Sequence, residues 1–167
     1  MKAKKTLTTR AGGFVGIATL CLWGLSGLHA QTPRSSEIAV VVNPETPVSD
    51  LSLEDLRKIF LGDRQYWSTK IPVVLLIRAP GTRERDVTLK EIYQMEEVQF
   101  KRYWIAKIFR AESATAPKIV YSNDMANQLT ATIPGAIVLI DARDVGTGVK
   151  VLRVDGQLPG EPDYPLK

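Results

Sequence analysis

The chain has 167 residues, 44% of them apolar and 24% charged, with one Cys and one His. That length and apolar share suit a single globular domain with a real core, and they set aside disordered, collagen-like and disulfide-framework classes. The formal charge of +4 belongs to the first 30 residues, which hold four of the 22 basic residues and none of the 18 acidic ones, so the remaining 137 are neutral. A neutral body lacks the standing positive field that nucleic-acid binding needs, and no nucleic-acid partner is expected. Cys21 and His29 lie in the same N-terminal stretch. Beyond residue 30 this excludes disulfides, thiol chemistry, Ser-His or Cys-His catalysis and ordinary zinc sites; neither a metal nor a cofactor is expected.

Lys2, Lys4, Lys5 and Arg10 precede an uncharged apolar run from Ala11 to Leu28, which closes on His29-Ala30. A basic n-region, an apolar h-region and a small residue at the cut read as a secretory signal peptide over residues 1–30, although Leu28 is bulkier than the usual residue three before the cut. The competing reading is a transmembrane anchor. Five glycines dilute the run, and its 18 residues sit near the lower limit for a hydrocarbon core of roughly 30 Å. Cys21 follows Leu20, not the small residue of a lipid-attachment box. The chain is expected to be exported, periplasmic or secreted, with no membrane span after cleavage.

Residues 31–36 are polar and read as a linker. Glu37 to Val42 is a continuous β-branched run ended by Asn43-Pro44, the pattern of a buried strand. Ser52 with Asp55 opens a helix; Leu53, Leu56, Ile59 and Phe60 share one face, and Gly62 stands where a left-handed cap belongs. A loop with Tyr66 and Trp67 leads to a second buried strand, Pro72 to Arg78. Ala79-Pro80-Gly81 turns the chain, and Thr82 caps a helix running towards Met95. Glu96 to Arg110 reads as another helix, on which Met95, Val98, Ile105 and Phe109 share an arc with Arg102 inside it. Phe100, Tyr103 and Trp104 fall outside that arc, so either several sides are covered or the helix is broken. Strands at Pro117 to Tyr121, Ala136 to Ile140 and Val149 to Val154, with a helix from Asn123 to Ala131, complete a domain over residues 37–156. Residues 157–167, with Pro159, Pro162 and Pro165, read as an extended tail. Strands alternating with helices point to an α/β fold with a mostly parallel sheet of about five strands and helices on both faces.

One turn has the chemistry of an anion site. Arg78 ends a buried strand and Gly81-Thr82 leads directly into a helix; in open α/β sheets ligands sit beyond the carboxyl ends of strands. The first-turn amides of a helix lack intrahelical partners and carry about half a positive charge. Gly81 permits close backbone approach, the Thr82 hydroxyl can donate, and Arg78, Arg83 or Arg85 supplies a cation. The plainer reading makes Thr82 a simple N-cap and pairs Arg83 and Arg85 with Glu84, Asp86 or solvent, pairs that contribute little.

Several segments together resemble the phosphate-binding component of phosphate ABC transporters, in particular its short, single-lobe relatives. They are IAVVVNPETPVSDLSLEDLRKIFLG followed by Trp67, PVVLLIR with its Gly-Thr turn, FKRYWIAKIF, and PKIVYSNDMANQLTATIPGAIVLI. The resemblance covers Ile38 to Gly156 and implies a single periplasmic-binding-protein-like lobe. It places Arg78, Gly81 and Thr82 on the family's phosphate-contacting Arg, Gly and Thr, and matches Gly81, Thr82 and Arg85 to a Gly-Ser-x-x-Arg pattern. The turn from Arg78 to Thr82 is two residues shorter than the family's, Pro80 removes one amide, and Val138-Leu139 stands where relatives have a glycine. The second lobe of the full-length relatives, which completes the cage, has no counterpart here.

Three readings follow. In the first, an exported solute-binding-like protein holds phosphate or another small oxyanion at Arg78, Gly81, Thr82, Arg83 and Arg85, weakly or with a second subunit in a homodimer, and serves an ABC permease. In the second, a ligand-free scaffold docks an envelope protein through its tail and the Tyr66-Trp67 loop, with Trp67 as a plain core anchor the competing account. The third, an enzyme, is disfavoured: Asp50, Asp55, Glu91, Asp124 and Asp141 are never spaced as a pair at one site.

Overall fold

A β-branched run without a polar interruption must have both faces covered, and Ile38–Val42 (β1) is buried along its whole length. The structure, a computed structural model, describes residues 37–68 and 70–167; the signal-peptide and linker readings lie outside the described residues. β1 is the fourth strand of a five-stranded sheet. Its neighbours are Val74–Arg78 (β5), Lys118–Val120 (β6), Ala136–Asp141 (β7) and Lys150–Val151 (β8), in the order β6-β5-β7-β1-β8. β5 runs parallel to both β6 and β7, while β1 is antiparallel to β7 and β8. Four strands therefore point one way and β1 opposes them: the sheet is mostly parallel, as the alternation of elements predicts.

Side chains alternate across the strands, and two cores follow. On one face Ile38, Val40, Val42, Ile77, Ile137 and Leu139 pack under the helices Leu53–Phe60 (α1), Arg83–Val87 (α2) and Glu97–Phe109 (α3). On the other, Ala39, Val41, Leu76, Val138 and Ile140 pack under Asn123–Thr132 (α4). α1 follows its sequence signals closely. Ser52 Oγ accepts from the Asp55 amide at 3.0 Å, Leu56, Ile59 and Phe60 are buried, and Gly62 has φ +72°.

Several segments differ from the sequence reading. The expected loop at Tyr66 and Trp67 is a short strand, Tyr66–Ser68 (β3), because Ile71–Pro72 (β4) folds back antiparallel beside it. After α2 the helix widens into a π-helix over Thr88–Tyr93 and stops at Gln94, whose φ is 54°. π-turns displace backbone carbonyls from their regular partners; here the Glu91 carbonyl accepts from Arg57 Nη2 at 2.9 Å, which ties the segment to α1. α3 is unbroken, and its covered side is the one carrying Phe100, Trp104 and Lys107. The arc of Val98, Ile105 and Phe109 faces solvent. The expected strand from Val149 to Val154 splits at buried Leu152. β8 pairs with β1, and Arg153–Val154 (β9) leaves to run beside Asp50–Leu51 (β2).

The segment after residue 156 carries no helix or strand, yet it is not a free tail. Tyr164 and Leu166 are buried in the larger core, Tyr164 Oη donates to the Ile38 carbonyl at 2.7 Å, and the Ile38 amide donates to Leu166 at 2.9 Å. Tyr164→Phe leaves that buried carbonyl without its hydroxyl partner and is expected to lower stability by about 1–2 kcal/mol, measured by urea unfolding. A loss near zero would mean that the hydroxyl is replaceable by water.

Candidate functional site

The parallel strands β5, β6 and β7 end on one edge of the sheet, where Arg78, Val120 and Asp141 stand side by side. Arg78 folds back over this edge. Its side chain is 7% exposed and Nη1 donates to the Val120 carbonyl at 3.2 Å. Nε has no hydrogen-bond partner, and the nearest acid, buried Glu84, has Oε1 at 3.9 Å. The guanidinium is thus incompletely satisfied, with one donor unspent, although Nε itself is closed off from solvent and Glu84 serves as its counter-ion.

The turn into α2 uses Gly81 for its backbone. φ is +82°, and a Cβ there would meet nothing within 4 Å. The residue therefore supplies a left-handed conformation in open space, where the sequence reading gave it the role of permitting close approach. Thr82 is the N-cap: Oγ1 accepts from the Arg85 amide at 3.3 Å and donates to the Ala79 carbonyl at 2.9 Å. The Thr82 carbonyl takes the Asp86 amide at 3.0 Å, which leaves the Arg83 and Glu84 amides as the open first-turn donors.

Arg83 is exposed, and its charge contributes to the low pKa of Asp141 at the end of β7. The main cause of that shift is Arg143, which grips the Asp141 carboxylate at 2.9 and 2.6 Å; burial opposes it, and the Arg143 amide and the Arg83 charge add smaller parts. The strand edge thus gathers Arg78, Gly81, Thr82 and Arg83, with Arg143 as a further cation that the sequence reading omitted. Glu84 and Asp141 are internal counter-ions. The sequence reading ended this strand at Ile140 and had Asp141 only as one of five unpaired carboxylates, whereas the strand includes it and Arg143 is its partner.

Arg85 is engaged elsewhere. It is 2% exposed, forms two hydrogen bonds to Glu97 at 3.0 and 3.1 Å, and stacks 4.1 Å above the Phe100 ring. Its guanidinium joins α2 to α3 and is committed to that contact. Tyr66 and Trp67, adjacent on a strand, point to opposite sides: Tyr66 is exposed, whereas Trp67 is buried with Nε1 donating to the Gly135 carbonyl at 2.8 Å. A cavity of about 330 Å³ lies at the opposite edge, between Trp104, Val74, Leu75, Pro117 and Lys118, and none of the five candidate residues lines it. At the candidate anion site Gly81 and Arg83 are exposed, while Arg78 and Glu84 beside them are buried. Among the described residues no group of three or more His, Cys, Asp or Glu could hold a metal ion, and no helix is long and apolar enough to cross a membrane.

The architecture matches solved transport proteins. A phosphate ABC transporter substrate-binding protein assigned in Clostridium perfringens, solved with bound phosphate, superposes with TM-score 0.59 at 22% identity, over 74% of this chain and 46% of that one. An ABC-type phosphate transport receptor from Vibrio cholerae gives 0.59 at 22%, over 74% and 48%. PstS from Borrelia burgdorferi gives 0.60 at 18%, over 78% and 53%. The fold is that of phosphate-transport substrate-binding proteins. The chain spans about half the length of each. No protein-family model matches it.

Proposed function

We propose that the chain is an exported, non-enzymatic solute-binding domain that takes phosphate or another small oxyanion at the start of α2. Arg78, Arg83 and the open amides would be the contacts, with an ABC permease as the eventual partner; Thr82 holds the turn instead, because its one hydroxyl proton is given to the Ala79 carbonyl. Arg85 is left out of the contact set. The observation that carries the reading is Arg78: a nearly enclosed guanidinium with an unpartnered Nε, next to a helix start whose glycine faces open space. The substrate-binding proteins that share the fold support it.

An ion held on one side only stays in contact with water, and its charge interactions are screened. Binding is expected in the millimolar range, about −4 kcal/mol, and should weaken as salt rises. Calorimetric titration with phosphate, with sulfate in parallel, tests this; Arg78→Ala is expected to reduce affinity at least tenfold. No heat from the wild type at tens of millimolar phosphate would end the reading. Glu84→Gln removes the carboxylate facing Arg78 and is expected to tighten anion binding several-fold, through the gain in local positive charge. Unchanged affinity in that variant would show that Arg78 does not touch the ion.

One observation favours the alternative of a ligand-free scaffold for an envelope protein, namely the uncovered apolar arc on α3. Pull-down from envelope extracts with and without phosphate separates the two, since a scaffold should recover its partner equally in both.

A further inference from the structure

The solvent side of α3 is more ordered in sequence than an incidental set of exposed residues. Val98, Ile105 and Phe109 are 57%, 68% and 91% exposed, and with Arg102 they follow 4-3-4 spacing. That is the d-a-d-a seam of a heptad repeat with one polar residue at an a position. The opposite side of the helix holds Phe100, Tyr103, Trp104 and Lys107 against the protein's own core, so the seam sits on a rigid, preformed helix. Isolated helices of this length are marginal in water; this one is held by tertiary packing and presents the seam ready-made.

We propose that α3 docks against α3 of a second copy of the chain, as an antiparallel two-helix seam. In that arrangement d packs on a: Val98 faces Phe109 of the second copy, and Ile105 faces Arg102, each contact made twice about a two-fold axis. The charges favour this orientation. Glu96 opens the helix and Arg110, paired with Glu112 at 2.5 Å, closes it, while Glu97 is held by Arg85; antiparallel pairing opposes the helix dipoles and sets Glu96 beside Arg110 at both ends. A parallel pair would set like beside like. The helix and its flanks carry Lys101, Arg102, Lys107 and Arg110 against Glu96, Glu97 and Glu112, and buried Lys107 is neutralised by Asp63 at 2.6 Å. That balance suits a copy of itself better than an anionic membrane, which is recognised by an excess of cations.

The seam is about 20 Å long and falls short of the roughly 800 Å² per partner of standard stable interfaces. Ile119 and Tyr121 are further exposed apolar residues, and Ile119 is in register with Ile77, whose side chain lies in the core that α1 and α3 cover. Both are exposed, at 45% and 72%. Arg102 near the two-fold axis weakens the pair while fixing its register, so the dimer is expected to be reversible and concentration-dependent.

Sedimentation equilibrium on the full chain, over a hundredfold range of concentration, tests the proposal. Self-association is expected, weakened at least tenfold by Phe109→Asp and tightened by Arg102→Leu. Both side chains are exposed, and matching thermal unfolding curves would show that the fold is intact. In a Cys21→Ser background, Val98→Cys combined with Phe109→Cys should form an intermolecular disulfide on oxidation, whereas Val98→Cys alone should not. A chain that stays monomeric throughout, or association that survives Phe109→Asp, overturns the proposal. So does a disulfide formed by Val98→Cys alone, or pelleting with anionic vesicles without self-association.

Discussion

Gly135→Ala is expected to be the most damaging single-methyl change in the described protein, costing about 4 kcal/mol and lowering the melting temperature by about 10–20 °C. Gly135 has φ +76°, and a Cβ there would lie 2.0 Å from the Pro72 carbonyl oxygen and 3.2 Å from Ile71 Cγ2. The clash is with backbone, which cannot rotate away as a side-chain end would. Relief would move Ile71–Pro72 (β4), or the start of β7, or both. The same residue's carbonyl accepts from Trp67 Nε1 at 2.8 Å and from the Val74 amide at 3.0 Å, so movement also strains the bonds that seat Trp67 and begin β5. Gly156→Ala is the internal control, since its φ is +79° but a Cβ there would meet nothing within 4 Å. It carries only the conformational part, about 1–2 kcal/mol. Chemical unfolding of both variants gives the difference; equal losses would show that the Pro72 contact relaxes at little cost.

Glu97→Ala should come next, at about 3 kcal/mol. Arg85 is 2% exposed and Nη1 already has no partner. Removing Glu97 takes the acceptor from Nε and Nη2 as well and strands a guanidinium on the face of Phe100. The stacking on the ring remains but replaces only part of the loss. Burial pushes the Glu97 carboxyl up, but the Arg85 hydrogen bonds and charge outweigh it, with help from Lys101, and hold it below its usual range. A carboxyl whose folded pKa is depressed stabilises the protein fully above its unfolded value, about 4.3, and that contribution is lost as pH falls through the folded value. Asp141, also held low, behaves in the same direction. The wild type should therefore lose stability on acidification below about pH 5, and Glu97→Ala should show a shallower fall over the same window. Parallel pH profiles for the two proteins would remove Glu97 from this role.

What the sequence disclosed depended on how far each signal had to reach. α1 was legible almost residue by residue, because its cap, its buried face and its terminating glycine act within ten positions. β5 and the Gly81-Thr82 turn were legible for the same reason. α3 was legible as a helix, but which of its faces is covered was not, since each face carries apolar residues and cationic ones. Lys107 lies on the buried face, where Asp63 receives its ammonium at 2.6 Å and the Tyr103 hydroxyl at 3.1 Å, whereas Arg102 lies on the open one. Periodicity cannot rank two such arcs when the deciding partner is 44 residues away. Arg85 failed as a candidate contact on similar grounds. Its spacing from Gly81 matches a phosphate-binding pattern, but its actual partner sits on α3 and only the tertiary fold joins them. The π-helix left no trace in the sequence, because no Gly or Pro marks Thr88–Tyr93. The buried end of the chain was hidden by its three prolines, which preclude regular structure without precluding burial of Tyr164 and Leu166.

That buried end has a consequence for biogenesis. The first strand of the described body, β1, receives its amide and hydroxyl contacts at Ile38 from Leu166 and Tyr164, the latter 126 residues further along the chain. A nascent polypeptide emerging in order therefore lacks the clasp on β1 until residues 164–166 have been made, and the strand stays unlatched through the synthesis of every other element described.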